Sequence, residues 1–452
     1  MGRKVAYLPA AERLWPEIVP KGDDRTHFQR DRDIVLYTSA FKRLSGITQV
    51  VSAHTGHVFH NRLTHSLQVA QVGRSLAEKL HIRQPNLAGL AGLDPHAIET
   101  GCLAHDLGHP PFGHVAEAVL NTVVGNSAEG FEGNAQSFRI VAELAFRSPE
   151  FNGLNLTRGT LQTLLKYPWT FAKRPKEGPK KINKWGAYSS ERRAFKHATG
   201  SATGFMVKRS VGADLMDWAD DLTYAIHDVE DFYRAGLIPL HQLALLKASG
   251  RTDAQRVRFL EYVWSHKDKI SDLKGISQAE LDDILGDILF SHFTIRDAYT
   301  GTRDQRKGLR FFTSRMVNRY INGLKLVEEG DGRVGTKLDS TFKREISILK
   351  QLTWCYVIEA PSLALQQHAH KEVIRYLFDV FLEESRAKPS PMLPAYYRER
   401  LQEISGQEPR REHGIRRMVA DLVAGMTEAQ AIGIYQRLKG IIIGSPFDEI
   451  LI

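Results

Sequence analysis

The chain of 452 residues carries 25% charged and 42% hydrophobic residues, which fits a soluble globular protein with enough length for two or three packed units and excludes a disordered or fibrous chain. Cys102 and Cys355 are the two cysteines, too few for a disulfide framework or a cysteine-rich zinc site; no window approaches the ~20 apolar residues of a membrane span, and Met1-Gly2-Arg3-Lys4 opens no signal-peptide stretch, so a reducing cytoplasm is expected. The formal charge of +9 is concentrated between Lys166 and Arg209, where twelve Lys/Arg face only Glu177 and Glu191; such a block suits a polyanionic partner, or simply a solvated loop.

Apolar spacing is predominantly helical, so the expected fold class is all-α. Ile34, Tyr37, Phe41 and Leu44 step by three and four along a first helical stretch. Gln49 to Phe59, with Val50, Val51 and Val58 flanking His54-Thr55-Gly56-His57, reads as a small β-hairpin around a glycine turn. Leu63, Leu67 and Ala70 then carry a helix through His65. Pro110-Pro111 stops the helix expected to carry His105 and Asp106, and Gly113 opens another through Val115 and Leu120.

Phe171 to Ser210, rich in Lys, Pro and Gly, is expected to leave the helical core as a basic excursion. Leu215, Trp218, Leu222, Ile226 and Val229 return to helical spacing. From Leu237 onward the pattern stays helical, with loops expected at Arg303 to Arg310 and Gly330 to Thr336. The division this suggests is a catalytic core over residues 1–236, with the excursion at 171–210, and a helical C-terminal region over 237–452 packed on it.

The chemistry-bearing string is Cys102-Leu-Ala-His105-Asp106-Leu-Gly-His109-Pro-Pro-Phe-Gly-His114. An imidazole beside a carboxylate suits a borderline divalent metal, and neighbours on a helix diverge by about 100°, so one ion at the helix edge can take both. Further ligands must come from other helices. Candidates are His65, in Asn61-Arg62-Leu-Thr-His65-Ser, and the acidic pair Asp220-Asp221. Two imidazoles and two carboxylates leave coordination positions open for water or a phosphate oxygen.

At these residues the chain resembles the HD superfamily, and within it the deoxyguanosine triphosphate triphosphohydrolases and their SAM-and-HD-domain dNTPase relatives. The resemblance covers almost the whole chain. It is carried by Arg25-Thr-His-Phe-Gln-Arg-Asp-Arg-Asp33, Ala40-Phe-Lys-Arg43-Leu, Thr48-Gln49-Val50 and the His65 and His105-to-Glu117 strings. Phe131-Glu-Gly-Asn134-Ala-Gln136, Leu165-Lys166-Tyr167-Pro-Trp169, Ala219-Asp220-Asp221-Leu-Thr-Tyr224 and Asp421-Leu-Val-Ala-Gly425-Met-Thr427 extend it.

The resemblance implies a metal held by His65, His105, Asp106 and Asp220, with spacing to Tyr224 favouring Asp220 over Asp221. Mn²⁺ or Mg²⁺ is the expected activating ion, with Fe²⁺, Ni²⁺ or Zn²⁺ as other fits. His114, Glu117 and His109 take the catalytic positions, and Gln49, Arg62, Asn134, Lys166, Tyr224 and Asp228 the substrate positions. The implied reaction is hydrolysis of dGTP or another dNTP at the α-phosphorus to deoxynucleoside and triphosphate. Two other readings stay open: an HD enzyme acting on a cyclic or alarmone nucleotide, and a nucleic-acid-binding protein with a vestigial site. The resemblance also implies a homo-oligomer, a hexamer by analogy, and a nucleotide or single-stranded DNA effector at a basic surface.

Overall fold

Side-chain caps fix where most helices begin. Thr26 and Gln29 form a capping box at the first, Asn61 accepts from Thr64 N at the third, and Ser210 accepts from Ala213 N at the tenth. The structure, a computed structural model, describes residues 10–17, 19, 21–50, 60–175, 183–200, 208–244, 253–330, 332–386, 391–405 and 411–444.

Among these residues the chain forms α1 (His27–Tyr37), α2 (Ser39–Arg43), α3 (Arg62–Arg83), α4 (Pro85–Leu90), α5 (Pro95–Ala104), α6 (His114–Val124), α7 (Gly133–Arg139), α8 (Arg158–Leu164), α9 (Arg192–Thr199) and α10 (Val211–Arg234). Then come α11 (Leu240–Leu243), α12 (Ala254–His266), α13 (Gln278–His292), α14 (Arg303–Ile321), strands β1 (Leu324–Glu328) and β2 (Val334–Leu338), and α15 (Ser340–Thr353). The chain closes with α16 (Pro361–Arg386), α17 (Ala395–Ser405), α18 (Arg411–Ala424) and α19 (Glu428–Leu438). The fold is all-α with one two-stranded hairpin among the described residues. Among the described residues no helix is long and apolar enough to cross a membrane.

The main core is built where α3, α5, α8 and α10 meet. Val69, Val72 and Leu76 of α3 pack with Ile98, Cys102 and Leu103 of α5, Leu161 and Leu164 of α8, and Leu215, Ala219 and Leu222 of α10. Full burial of each such aliphatic side chain contributes roughly 1.5–3 kcal/mol. At Gly73 a Cβ would lie 2.5 Å from the Cys102 sulfur, so this glycine allows the close approach of α3 to α5. The same cluster continues past residue 236 to Leu363.

A second cluster joins Ala116, Val119 and Leu120 of α6 to Ile374, Leu377 and Phe378 of α16 and to Val419 and Leu422 of α18. Helix α6 therefore lies against the C-terminal helices.

Several sequence expectations shift. Helix α5 ends at Ala104, so His105 is its C-cap and Asp106 lies in the following turn rather than within the helix. Arg303 to Arg310 is not a loop but the first half of α14, capped by Thr302; its charged run hides the helix because burial begins only at Leu309. Gly330 to Thr336 is only partly loop, since Val334 to Thr336 belong to β2 and pair with Leu326 to Glu328. Of the hairpin expected over Gln49 to Phe59, residues 51–59 lie outside the described residues; beside them Thr48 makes an antiparallel bridge with Asn61. The basic excursion is anchored: Trp185 and Tyr188 are buried with Ala135, and Phe195 of α9 enters the main core.

Candidate metal centre

Four side chains expected from the sequence converge between α3, α5 and α10. His65 sits in the first turns of α3, where Asn61 fixes the entry of the chain, and Asp220 projects from the middle of α10. Asp220 Oδ1 lies 3.1 Å from His65 Nε2 and 3.6 Å from His105 Nε2. Asp106 Oδ1 lies 3.4 Å from His105 Nε2, and one ligand atom each from His65, His105 and Asp106 falls within 4.8 Å of the others.

The donor set fits a divalent metal on a further observation. His105 Nδ1 lies 2.6 Å from the Cys102 carbonyl and donates to it, while buried Nε2 has no hydrogen-bond partner among the described residues. Held this way, the ring turns Nε2 toward Asp106 and Asp220, where a bound cation would take the place of the proton those carboxylates otherwise favour. Burial opposes the charged form of His105, but the Asp106 and Asp220 carboxylates prevail and push it up to about 9. Asp220 and Asp106 are both held well below the usual carboxylate range: burial works against ionisation, and His105 overrides it at Asp220 as Arg62 does at Asp106.

Asp221 is not part of the cluster. It turns to Lys350 of α15, 2.5 Å away. Lys166 lies 2.6 Å from Asp217 Oδ1 and 3.7 Å from Asp220 Oδ2. Arg62 is 3% exposed and places Nη1 2.7 Å from Asp106 Oδ2, so its charge is opposed by a carboxylate of the cluster. His109 Nδ1 lies 2.9 Å from Asp106 Oδ1; burial and the Arg62 charge push its imidazole down to about 4, leaving it neutral.

His114 and Glu117 form a pair on the first turn of α6, with Nδ1 and Oε2 2.9 Å apart. The His114 side chain is 71% exposed, whereas Glu117 is almost covered. Burial resists ionisation of Glu117, but the bond from His114 and the Lys184 charge hold it well below the carboxylate range. Neighbouring Glu132 is pushed up, by burial and by Glu117 itself. Lys184 reaches both, at 3.5 Å and 3.2 Å. His109, His114 and Glu117 also have ligand-capable atoms within 4.8 Å of one another, but the adjacent ammonium disfavours a second cation there.

Tyr224 and Asp228 follow Asp220 at one-turn intervals on α10. Burial, and then the Asp228 charge, raise the Tyr224 phenol, so it remains a hydroxyl donor. Asp228 is buried with Oδ2 unpartnered among the described residues, and burial pushes its carboxyl well above the usual range. Gln49 is half-buried with Oε1 unpartnered among the described residues, and Asn134 donates Nδ2 to Glu132 at 2.8 Å.

An HD-domain family model matches residues 62–184, and a phosphohydrolase-associated domain model matches residues 336–437. The chain is 32% identical to a deoxyguanosinetriphosphate triphosphohydrolase-like protein of Streptomyces coelicolor, over 96% of this chain and 97% of that one. It is 30% identical to proteins of the same name from Shewanella woodyi, over 94% of each chain, and from Shewanella sediminis, over 94% of this chain and 95% of that one. The chain belongs to the deoxyguanosinetriphosphate triphosphohydrolase-like family of HD phosphohydrolases.

In this HD phosphohydrolase several groups around the centre carried no role in the sequence reading. Asp217 holds Lys166, and Glu132 with Lys184 surrounds Glu117. Ser137 of α7 accepts from Gly108 N and donates to the His105 carbonyl. Glu132, Ser137 and Asp217 lie within or beside the family-like strings, so proximity in sequence was the available signal. Lys184 was masked by the other lysines of its segment.

Proposed function

We propose that this protein hydrolyses deoxynucleoside triphosphates at the α-phosphorus, releasing deoxynucleoside and intact triphosphate. The observation that carries the reading is the juxtaposition of one His/His/Asp/Asp cluster with a separate His–Glu pair, joined by His109. His65, His105, Asp106 and Asp220 would hold one divalent cation, with Mn²⁺ or Mg²⁺ the proposed activating ions. When bound, that ion supplies Lewis acidity at a phosphate oxygen and lowers the pKa of a water.

The protein's own residues supply the rest. Cleavage at phosphorus needs a proton for the leaving 5′-oxygen and neutralisation of charge on the triphosphate. His114 is exposed and oriented by Glu117 at 2.9 Å, an arrangement suited to holding and passing that proton. Arg62 orients Asp106 and adds positive potential, and Lys166 adds a second charge beside Asp220. The phenol of Tyr224, the carboxyl of Asp228, which burial pushes up, and the Gln49 amide oxygen, unpartnered among the described residues, would face the sugar, where a closely fitted surface disfavours a 2′-hydroxyl. Asn134 would complete that side through Glu132.

An effector carrying several phosphates would bind α14. Arg303, Lys307 and Arg310 are exposed on one face of it with no ion-pair partner among the described residues, beside exposed Phe311. In the segment from Lys166 to Arg209, by contrast, Lys166, Lys184, Lys208 and Arg209 are spent in ion pairs.

The test is a panel of the four dNTPs and GTP with Mn²⁺, with and without added nucleotides or single-stranded DNA, scored by chromatography of the phosphate products. Triphosphate release from at least one dNTP supports the reading. Pyrophosphate, or no product under any condition, overturns it.

A further inference from the structure

We propose that Glu428, the first residue of α19, is a positioning residue that fixes the two loops flanking the site, and through them the placement of His114. The proposal rests on the reading above that His114 acts on the leaving group. Glu428 is 4% exposed, and its carboxylate accepts three hydrogen bonds from neutral donors. Oε1 takes Thr48 N at 2.9 Å and Phe112 N at 3.2 Å, and Oε2 takes the Thr48 hydroxyl at 2.7 Å. Thr48 immediately precedes Gln49, and Phe112 stands two residues before His114. One carboxylate from the far end of the chain thus sets the spacing between these two loops.

The loop needs such a hold. Phe112 adopts φ +67°, a conformation that side-chain-bearing residues rarely occupy and that surrounding contacts must maintain. Two of those contacts come from the C-terminal helices: the bond to Glu428, and the His370 ring of α16 stacked on Phe112 at 3.9 Å between centroids. Arg43 supplies a third tie. It donates to the Leu107 and His109 carbonyls on one side and to those of Ala424 and Met426 on the other. Burial lowers its guanidinium to about 10, and no carboxylate pairs with it among the described residues.

The loop is consequently held in two halves by different parts of the molecule. The half carrying His105 and Asp106 is fastened within the HD region by Ser137, Cys102 and Arg62. The half leading from His109 to His114 is fastened to α16, α18 and α19. Removing Glu428 should therefore loosen proton transfer while leaving the metal ligands in place. This pattern differs from general destabilisation, which would affect both.

The experiment compares the full-length protein with Glu428→Ala, Glu428→Asp and Glu428→Gln variants. It measures bound Mn²⁺ per chain, kcat and KM for triphosphate release, and backbone amide exchange. For Glu428→Ala the expected outcome is unchanged Mn²⁺ content and KM within about threefold, with kcat lower by about 10- to 100-fold, the scale of a small misplacement of a reacting group. Exchange should quicken over residues 107–117 and 44–50 and stay unchanged over 211–234. Glu428→Gln keeps an acceptor for both N–H groups and can donate to the Thr48 oxygen, so it should restore kcat to within about threefold.

The proposal is overturned by unaltered kcat and exchange in Glu428→Ala, by loss of Mn²⁺ in step with kcat, or by a Glu428→Gln variant as damaged as the alanine one. If Glu428→Ala does not fold, Glu428→Asp, one methylene shorter, carries the same measurements and the same expectations. Should the wild-type protein release no triphosphate, the functional reading fails, and the exchange data still decide the role of Glu428.

Discussion

Asp220 Oδ1 lies 3.1 Å from His65 Nε2, joining the tenth helix to the third across the candidate metal cluster. The next residue, Asp221, points about 100° further round the helix and meets Lys350 instead. Asp220→Ala should abolish metal-dependent phosphohydrolase activity, with a loss of at least about 100-fold in metal affinity or turnover. Asp221→Ala removes a partly exposed pair worth ~0–1 kcal/mol and should stay near wild type. Parallel metal titrations and rate measurements on the two variants check this; equal losses would place both carboxylates at the metal.

Exposed His114 and its partner Glu117 separate chemistry from metal binding. His114→Ala should lower kcat by about 100- to 10,000-fold, the usual weight of a positioned acid or base, with Mn²⁺ content unchanged. Glu117→Gln keeps the shape but removes the charge that orients the imidazole, so a smaller loss is expected. Steady-state kinetics beside metal analysis distinguish the two effects.

Chelation should inactivate the protein without unfolding it. Asp106 is already held by Arg62 at 2.7 Å, and His105 by the Cys102 carbonyl at 2.6 Å, so the ligands stay in place without the ion. After treatment with EDTA the far-UV circular dichroism should be unchanged, and activity should return on adding Mn²⁺. A collapse of helical signal on chelation would show that the metal is required for the fold.

Stability should fall in mild acid through His227. Burial, and next the His60 charge, lower its imidazole from 6.5 to about 3. Between these values the unfolded chain binds a proton that the folded chain does not, so stability declines as pH drops through the window, by up to about 1.4 kcal/mol per pH unit. Above pH 6.5 neither state is protonated and the effect vanishes. Denaturant melts of wild type and His227→Gln at pH 7.5 and pH 5 should show a difference that narrows or reverses on acidification; a constant difference would exclude it.

A buried network ties the middle of the chain to its end. Arg139 Nη2 lies 2.7 Å from Asp421, Arg139 Nη1 lies 2.5 Å from Glu191, and Gln136 donates to Asp421 at 2.9 Å. Asp421→Ala would strip the Arg139 cation of one of its two carboxylates, at a cost of about 3–5 kcal/mol. Scanning calorimetry should record a marked fall in Tm, larger than for Asp221→Ala.

The candidate metal cluster was legible because its residues sit in short strings on or just after amphipathic helices, and helical spacing fixes which way His65 and Asp220 face. Helix α14 was hidden by its own charge: Arg303, Arg306 and Lys307 precede the first buried residue, Leu309, so no apolar stripe announces its first turns. The role of Glu428 had no local signal at all. A single carboxylate after Thr427 looks like a helix-start residue, and only the packing of α19 against Thr48 and Phe112 gives it three donors to serve. The end of α5 at Ala104 was missed because residues 105–108 continue in turns and Pro110 looked like the natural stop.

Helix α16 has a mechanical consequence. Its 26 residues span ~39 Å, with Leu363 at one end embedded in the first hydrophobic cluster and Val373 to Leu382 in the second. A rod rooted at both ends cannot leave one cluster without disturbing the other, and the bonds from Arg43 to Ala424 and from Thr48 to Glu428 cross the same divide. Heating should thus bring both clusters down together, in one transition rather than two, and a protease that cuts the rod midway should release that coupling.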